Sequence, residues 1–188
     1  LMAIEKIVIV GGGTAGWMAA AALSRIAGVR GVSITLIESE EIGTVGVGEA
    51  TIPPFVEFNN LLGIDEREMM AACQASFKLG IQFVNWGEVG DSYIHPFGAY
   101  GYHMGGISFH QIWHRIRELG DKRPIQAFNL ETMAAYFGKF SRTEDYARED
   151  LPPINYAYHI DATAYARYLR GYAEKRGVVR REGRVTDV

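Results

Sequence analysis

The sequence predicts an α/β fold built on a parallel sheet, and three observations carry that expectation. Ile7-Val8-Ile9-Val10 is a run of four β-branched residues, suited to a strand covered on both faces. It breaks directly into Gly11-Gly12-Gly13-Thr14-Ala15-Gly16-Trp17, whose glycines fall on a G-x-G-x-x-G spacing and open an alanine-rich helix. A second strand, Ser33-Ile34-Thr35-Leu36-Ile37, follows that helix and ends on an acid, Glu38. Strand, glycine turn, helix, strand and terminal acid, in that order, make a nucleotide-binding βαβ unit.

Each part has a physical reason. Gly11 permits the tight turn, Gly13 lets the backbone approach a pyrophosphate, and Gly16 lets the helix pack closely on the strand. The helix opens at Thr14 and Ala15, where free N–H groups and the positive end of the dipole face an anion. Glu38 is placed to accept hydrogen bonds from a ribose diol. These six residues are the first candidate cofactor contacts.

The remaining elements follow in order. The first helix runs from Thr14 to about Ala27, with Gly28 and Gly31 at its exit. A glycine-punctuated loop covers 39–54 and is expected to touch ligand. A helix from Phe55 to Leu62 stops at Gly63. Asp65, with Glu68 at the capping-box spacing, opens a helix running to about Phe77. Ile81-Gln82-Phe83-Val84-Asn85-Trp86 alternates as a strand, and 87–106 is rich in glycine and aromatics, as irregular loops are. Helices are expected over 109–118, from Leu130 to about Phe140, and over 162–175, the last capped by Asp161 and ended by Gly177. Val178-Val179 begins a third strand.

The order β-α-β, long mixed insertion, α-β is one that FAD-type dinucleotide folds often adopt. The expectation is therefore an FAD-binding Rossmann-like core of the glutathione-reductase type, interrupted by a mixed helical insertion. The core covers 1–51 and 156–188, and the insertion 52–155. Val185-Thr186-Asp187-Val188 alternates like a strand and the sequence stops inside it, so 1–188 is expected to be a partial domain, incomplete at its C-terminus.

Composition excludes several classes. A net charge of −3 gives no reason to expect nucleic acid or an anionic membrane surface. No apolar stretch approaches the roughly 20 residues of a membrane span. A single cysteine, Cys73, rules out an internal disulfide framework and fits a reducing cytoplasm. His110 and His114 lie four apart on an expected helix, but Gln111 stands where a zincin has its glutamate and no third ligand is evident, so no metal site is expected.

Four segments together resemble the flavin-dependent halogenases of the tryptophan-halogenase type. They are Gly11-Gly12-Gly13-Thr14-Ala15-Gly16-Trp17-Met18, Gly46-Val47-Gly48-Glu49-Ala50-Thr51-Ile52-Pro53, Phe77-Lys78 followed by Phe83-Val84-Asn85-Trp86, and Tyr158-His159-Ile160-Asp161. The resemblance covers essentially all of this chain but only the N-terminal part of the family's longer sequence. It implies a reaction in which reduced FAD and oxygen convert chloride or bromide into hypohalous acid, which then halogenates an electron-rich aromatic such as tryptophan or indole.

Further roles follow from the resemblance. Lys78 matches the family's catalytic lysine. An amine suits that role because it donates a hydrogen bond to hypohalous acid or, when neutral, carries the halogen itself, and burial lowers a lysine's pKa toward neutrality. Val47, Glu49, Ala50 and Thr51 fall on the loop that would lie along the flavin. Val185 resembles the residue whose backbone contacts the adenine. His95 and Phe97, in Tyr93-Ile94-His95-Pro96-Phe97-Gly98, would line the aromatic substrate's pocket, although core packing suits Phe97 equally. A separate flavin reductase is the implied source of reduced FAD, since nothing reads as a nicotinamide site.

The family's W-x-W-x-I-P motif, and the acidic residue that works with the lysine, are not among these residues. A flavin monooxygenase and a non-catalytic FAD-binding fragment are therefore the competing readings. Halide dependence separates the first, and weak or absent FAD retention with no turnover under any halide condition marks the second.

Overall fold

Strands β1 (Lys6–Val10) and β2 (Ser33–Glu38) pair in parallel in the computed structural model, with Ile7 opposite Ile34 and Ile9 opposite Leu36. The structure describes residues 4–26, 31–41, 48–142, 153–184 and 186. β8 (Val179–Glu182) adds in parallel to the other edge of β2, giving the order β1-β2-β8. Helix α1 (Thr14–Ile26) connects β1 to β2, and α6 (Ala162–Glu174) leads into β8. The two helices pack on each other, and their alanines explain how closely: Ala20 and Ala21 of α1 and Ala166 and Ala173 of α6 are buried.

One expectation about β1 fails. Ile7 and Ile9 are half-buried, but Val8 and Val10 are 59% and 56% exposed. The register puts Val8, Thr35 and Val179 on one face of the sheet, and Val179 is exposed as well. Among the described residues no layer covers that face. Four β-branched residues specify a strand, but whether both faces are covered depends on what else packs there.

The chain divides into two compact units, the first comprising Leu1–Thr51, Phe55–Ser76 and Tyr158–Val188 and the second Ile52–Pro54 and Phe77–Ala157. Helices α2 (Pro54–Leu62) and α3 (Glu66–Ala72) fall almost wholly in the first. Asp65 caps α3 by accepting from the Glu68 N–H at 2.9 Å. The helix stops at Ala72, short of the expected Phe77, because Gln74 takes a φ of +50° and the chain re-emerges as β4 (Ser76–Lys78). Short strands β3 (Gly48–Ala50) and β7 (Ala157–Asp161), neither expected, pair antiparallel with Glu49 opposite Ile160. Of the expected C-terminal strand, Thr186 has no regular structure and the other three residues lie outside the described ones.

The core of the first unit is built on Trp17, Leu36, Met69, Tyr158, Tyr165 and Leu169, all essentially inaccessible. Tyr165 donates to Asn59 Oδ1 at 2.8 Å, both residues being buried, and burial holds the phenol protonated. Tyr165→Phe leaves that amide oxygen without its donor, so an urea melt is expected to show a loss of about 1–3 kcal/mol.

In the second unit β5 (Gly80–Val84) and β6 (Ser92–Pro96) form an antiparallel hairpin. The glycine- and aromatic-rich stretch is thus partly strand, with Ile94 and Pro96 buried on one face and Tyr93 stacked on Phe83 at 5.3 Å. Helix α4 (Phe109–Glu118) matches expectation, and α5 (Leu130–Tyr136) ends earlier than Phe140. Phe140 instead stacks on Phe77 with ring centroids 3.7 Å apart. Asn129 caps α5 by accepting from the Thr132 N–H and donates its own amide to the Ala99 carbonyl, tying that helix to the loop after β6. Among the described residues no helix is long and apolar enough to cross a membrane.

Candidate functional site

The glycine turn opens onto a cavity of about 550 Å³ in the first unit, lined by Gly11, Gly13, Trp17, Glu38, Thr163 and Arg170 among others. Three glycines do three different things. Gly11 takes a φ of +106°, closing the turn so that its N–H donates to the Ile37 carbonyl at 2.8 Å. A Cβ on Gly16 would sit 1.9 Å from the Gly11 carbonyl oxygen, so the turn and α1 touch there with no room for a side chain. A Cβ on Gly13 would meet nothing within 4 Å. Space is open at Gly11 as well, but there the positive φ is what requires glycine, whereas at Gly13 the open space lies where a pyrophosphate is expected to approach.

Glu38 closes the other side of this cavity, 14% exposed at its side chain. Its Oε1 accepts from Arg180 Nε at 2.5 Å and its Oε2 from the Trp17 indole N–H at 3.3 Å. Oε2 also lies 1.4 Å from where a Gly12 Cβ would be, so the carboxylate rests on the turn itself. Thr14 and Ala15 stand at the start of α1, with the Thr14 hydroxyl donating to the Ala162 carbonyl at 3.4 Å and Ala15 exposed.

Glu49 and Ala50 are exposed on β3. The Thr51 hydroxyl donates to the Tyr158 carbonyl at 3.0 Å and accepts from the Tyr158 N–H at 2.9 Å. None of the three lines the cavity. Val47 and Val185 lie outside the described residues.

Lys78 belongs to the second unit, where it is 6% exposed at the end of β4. Its Nζ lies 5.3 Å from the centroid of the Phe97 ring, within cation–π range. Desolvation holds its pKa below that of an ordinary lysine. Backbone pairing makes the contact. The hairpin register places Gly80 opposite Pro96, and the next bond runs from the Phe97 N–H to the Leu79 carbonyl at 3.0 Å. That bond sets Phe97 opposite Leu79, the residue next to Lys78, where the strand is interrupted and the lysine comes within reach of the ring. Gly80 is needed for this approach, since a Cβ there would lie 2.6 Å from the His95 carbonyl oxygen. His95 itself is exposed, opposite Ile81. Gly98 follows Phe97 closely packed on the buried Glu131 carboxylate, which accepts from the Asn155 N–H at 3.0 Å.

No group of three or more His, Cys, Asp or Glu among the described residues could hold a metal ion. His110 and His114 are exposed, and His110 Nδ1 is 2.9 Å from the Ser108 hydroxyl. Cys73 is buried, and burial followed by the Asp161 charge pushes its thiol up to about 11, which keeps it protonated and inert. Trp17, Arg180 and Gly12 shape the surroundings of Glu38 in the first unit, and Gly80 those of Lys78 in the second. Gly12 and Trp17 have a signal in the sequence, their place in the glycine-turn segment; Arg180 and Gly80 have none.

Around the glycine turn the residues present fit the adenosine diphosphate part of FAD. The turn presents open backbone at Gly13 and a helix N-terminus, and a carboxylate stands at the end of β2 within the same cavity.

Comparison with known proteins agrees with this geometry. The family model described as tryptophan halogenase matches residues 6–188. The chain is 37% identical over 196 residues to 7-chloro-L-tryptophan 6-halogenase KtzR of Kutzneria sp. (strain 744), covering 92% of this chain and 36% of that protein. It is 36% identical over 217 residues to tryptophan 7-halogenase RebH of Lentzea aerocolonigenes, covering 98% of this chain and 37% of RebH. Among solved structures, Xcc4156, a flavin-dependent halogenase from Xanthomonas campestris, superposes with a TM-score of 0.90 at 49% identity, over 99% of this chain and 36% of that one. The chain thus spans little more than a third of the length of these relatives. A match along nearly the whole chain, to sequences and structures alike, places it in the tryptophan halogenase family, with that family's FAD-binding Rossmann-like fold.

Proposed function

We propose that the protein carrying this chain is a flavin-dependent halogenase that uses reduced FAD, oxygen and chloride or bromide to halogenate an electron-rich aromatic such as tryptophan or indole. The observation that carries this reading is Lys78, a buried lysine held beside an aromatic ring by backbone pairing. Bound reduced FAD would supply the two electrons that let oxygen oxidise halide to hypohalous acid, with water as the other product.

The chain's own residues have defined tasks in this reading. Gly11, Gly13, Thr14, Ala15 and Gly16 receive the pyrophosphate, and Glu38 takes the ribose diol. Val47, Glu49, Ala50 and Thr51 lie along the flavin, and the Val185 backbone meets the adenine. The Lys78 ammonium donates to the oxygen of hypohalous acid and draws electron density from the halogen. The arene carbon then forms its bond to halogen as the oxygen–halogen bond breaks. Oxygen leaves as water with the lysine's proton, and the neutral amine accepts the proton released from the ring carbon. A pKa lowered by burial suits a group that must be acid and then base. Phe97 and His95 line the arene's pocket. A separate flavin reductase supplies reduced FAD.

The test supplies the intact protein with a flavin reductase, NADH, FAD, oxygen and bromide or chloride, against a panel of indoles, pyrroles and phenols. Mass spectrometry should show halogenated product that vanishes without halide. Hydroxylated product formed without halide would replace this reading with oxygenation. FAD retention with no product under any halide would reduce it to a binding role.

A further inference from the structure

Glu38 does not find its place by rotamer preference alone, because two donors from distant parts of the first unit hold both of its oxygens. The Arg180 guanidinium reaches Oε1 from β8, and the Trp17 indole N–H reaches Oε2 from α1. The parallel register makes the first contact possible: Leu36 is opposite Arg180 and Glu38 opposite Glu182, so all four side chains share one face of β2 and β8. Arg180 is only 14% exposed and also donates to Glu40 Oε1 at 2.9 Å and to Glu182 Oε2 at 2.5 Å. It is therefore anchored on three carboxylates and is not free to follow Glu38 elsewhere. Trp17 is 2% exposed and equally fixed. Arg170 of α6 lies 3.8 Å from Glu38 Oε1, outside hydrogen-bond range. Gly12 completes the arrangement by leaving room for the carboxylate above the turn.

We infer that Trp17 and Arg180, with the bare backbone of Gly12, are positioning residues that preset the Glu38 carboxylate for the adenosine ribose of the cofactor. The inference rests on the proposed role of Glu38. Each carboxylate oxygen accepts more than one hydrogen bond, so Glu38 keeps acceptor capacity for a diol while its direction is fixed. A carboxylate held in one direction loses no rotamer freedom on binding, and the ligand gains the full hydrogen bond. Removal of a donor frees Glu38 to turn toward solvent and weakens only the half of the ligand that it touches.

The experiment titrates the intact protein with oxidised FAD and, separately, with FMN, which has no adenosine half, while thermal melts of each cofactor-free variant monitor folding. Glu38→Gln sets the reference. Trp17→Phe keeps an aromatic ring and deletes the N–H, Arg180→Met keeps the length and deletes the charge, and Gly12→Ala displaces the carboxylate, whose atoms are the nearest to the added Cβ. All three should weaken FAD by about tenfold, the worth of a hydrogen bond to a charged group, with FMN affinity unchanged. Arg180→Lys should recover part of the loss. If Glu38→Gln leaves FAD affinity intact, the ribose role of Glu38 fails. If Glu38→Gln weakens FAD but Trp17→Phe and Gly12→Ala do not, the positioning inference is overturned while the ribose role stands. Equal losses for FAD and FMN, tracking a fall in melting temperature, would mean a purely structural role and would overturn it as well.

Discussion

Lys78→Met is expected to reduce halogenated product by about 10³-fold or more, within the range set by removal of a group that both donates and accepts a proton. FAD binding should be unaffected, because the glycine turn and Glu38 belong to the other compact unit. Stability should move in the opposite direction from activity. Burial lowers the Lys78 pKa, so between that lowered value and the ordinary lysine value the unfolded chain binds more protons than the folded one. Stability therefore rises with pH across that window, and at neutral pH the charged amine opposes folding. Methionine fills a similar volume without the charge. The variant's melting temperature should equal or exceed that of the parent at pH 7, and the difference should shrink as pH approaches the ordinary lysine value. Product formation undiminished in Lys78→Met would end the catalytic role of Lys78. A large loss of stability at pH 7 would mean that its hydrogen bonds outweigh its desolvation.

The second large effect separates two glycines of one motif. Gly16→Ala puts a Cβ 1.9 Å from the Gly11 carbonyl oxygen, a backbone atom in the turn that joins β1 to α1. Neither partner can yield without moving the helix, and a loss of about 3 kcal/mol or more is expected, at the upper end for an overpacked core. Gly13→Ala places its Cβ in open space, so the cofactor-free protein should melt within about 2 °C of the parent, as a compatible Gly→Ala exchange does. The same Cβ occupies the space left for a pyrophosphate, and FAD affinity should fall by about 100-fold, since a backbone approach and its hydrogen bonds are lost together. Cofactor-free melts and FAD titrations of the two variants, run side by side, check both claims. Intact FAD binding in Gly13→Ala would show that the pyrophosphate lies elsewhere.

How far the molecule was legible in its sequence follows from the range of each interaction. The turn from Gly11 to Gly16 and the acid at Glu38 sit within one βαβ unit, and their roles depend on spacing that is local along the chain. The caps of Asp65 on α3 and Asp161 on α6 are legible for the same reason, each closing on a residue three positions ahead. Lys78 was recognisable through a family motif, but its setting was not. Helix periodicity extended α3 to Phe77, whereas the chain leaves the helix at Gln74 and brings Lys78 out of a strand. Strand β6 was hidden because aromatic and glycine content resembles a loop, and its pairing depends on a partner that local pattern does not name.

The sequence by itself determined the βαβ start, the helix that opens from the glycine turn, the terminal acid and the family, because each is written in adjacent residues. Only the tertiary structure decided which donors hold Glu38 and which ring faces Lys78. Arg180 lies 142 positions from Glu38 and reaches it through the register of two parallel strands. Phe97 comes near Lys78 through the bond from its N–H to the Leu79 carbonyl, one pair past the hairpin's last pairing of Gly80 with Pro96. Register places every side chain on a face, and it is chosen by packing of the whole sheet, not by the residues of either strand alone.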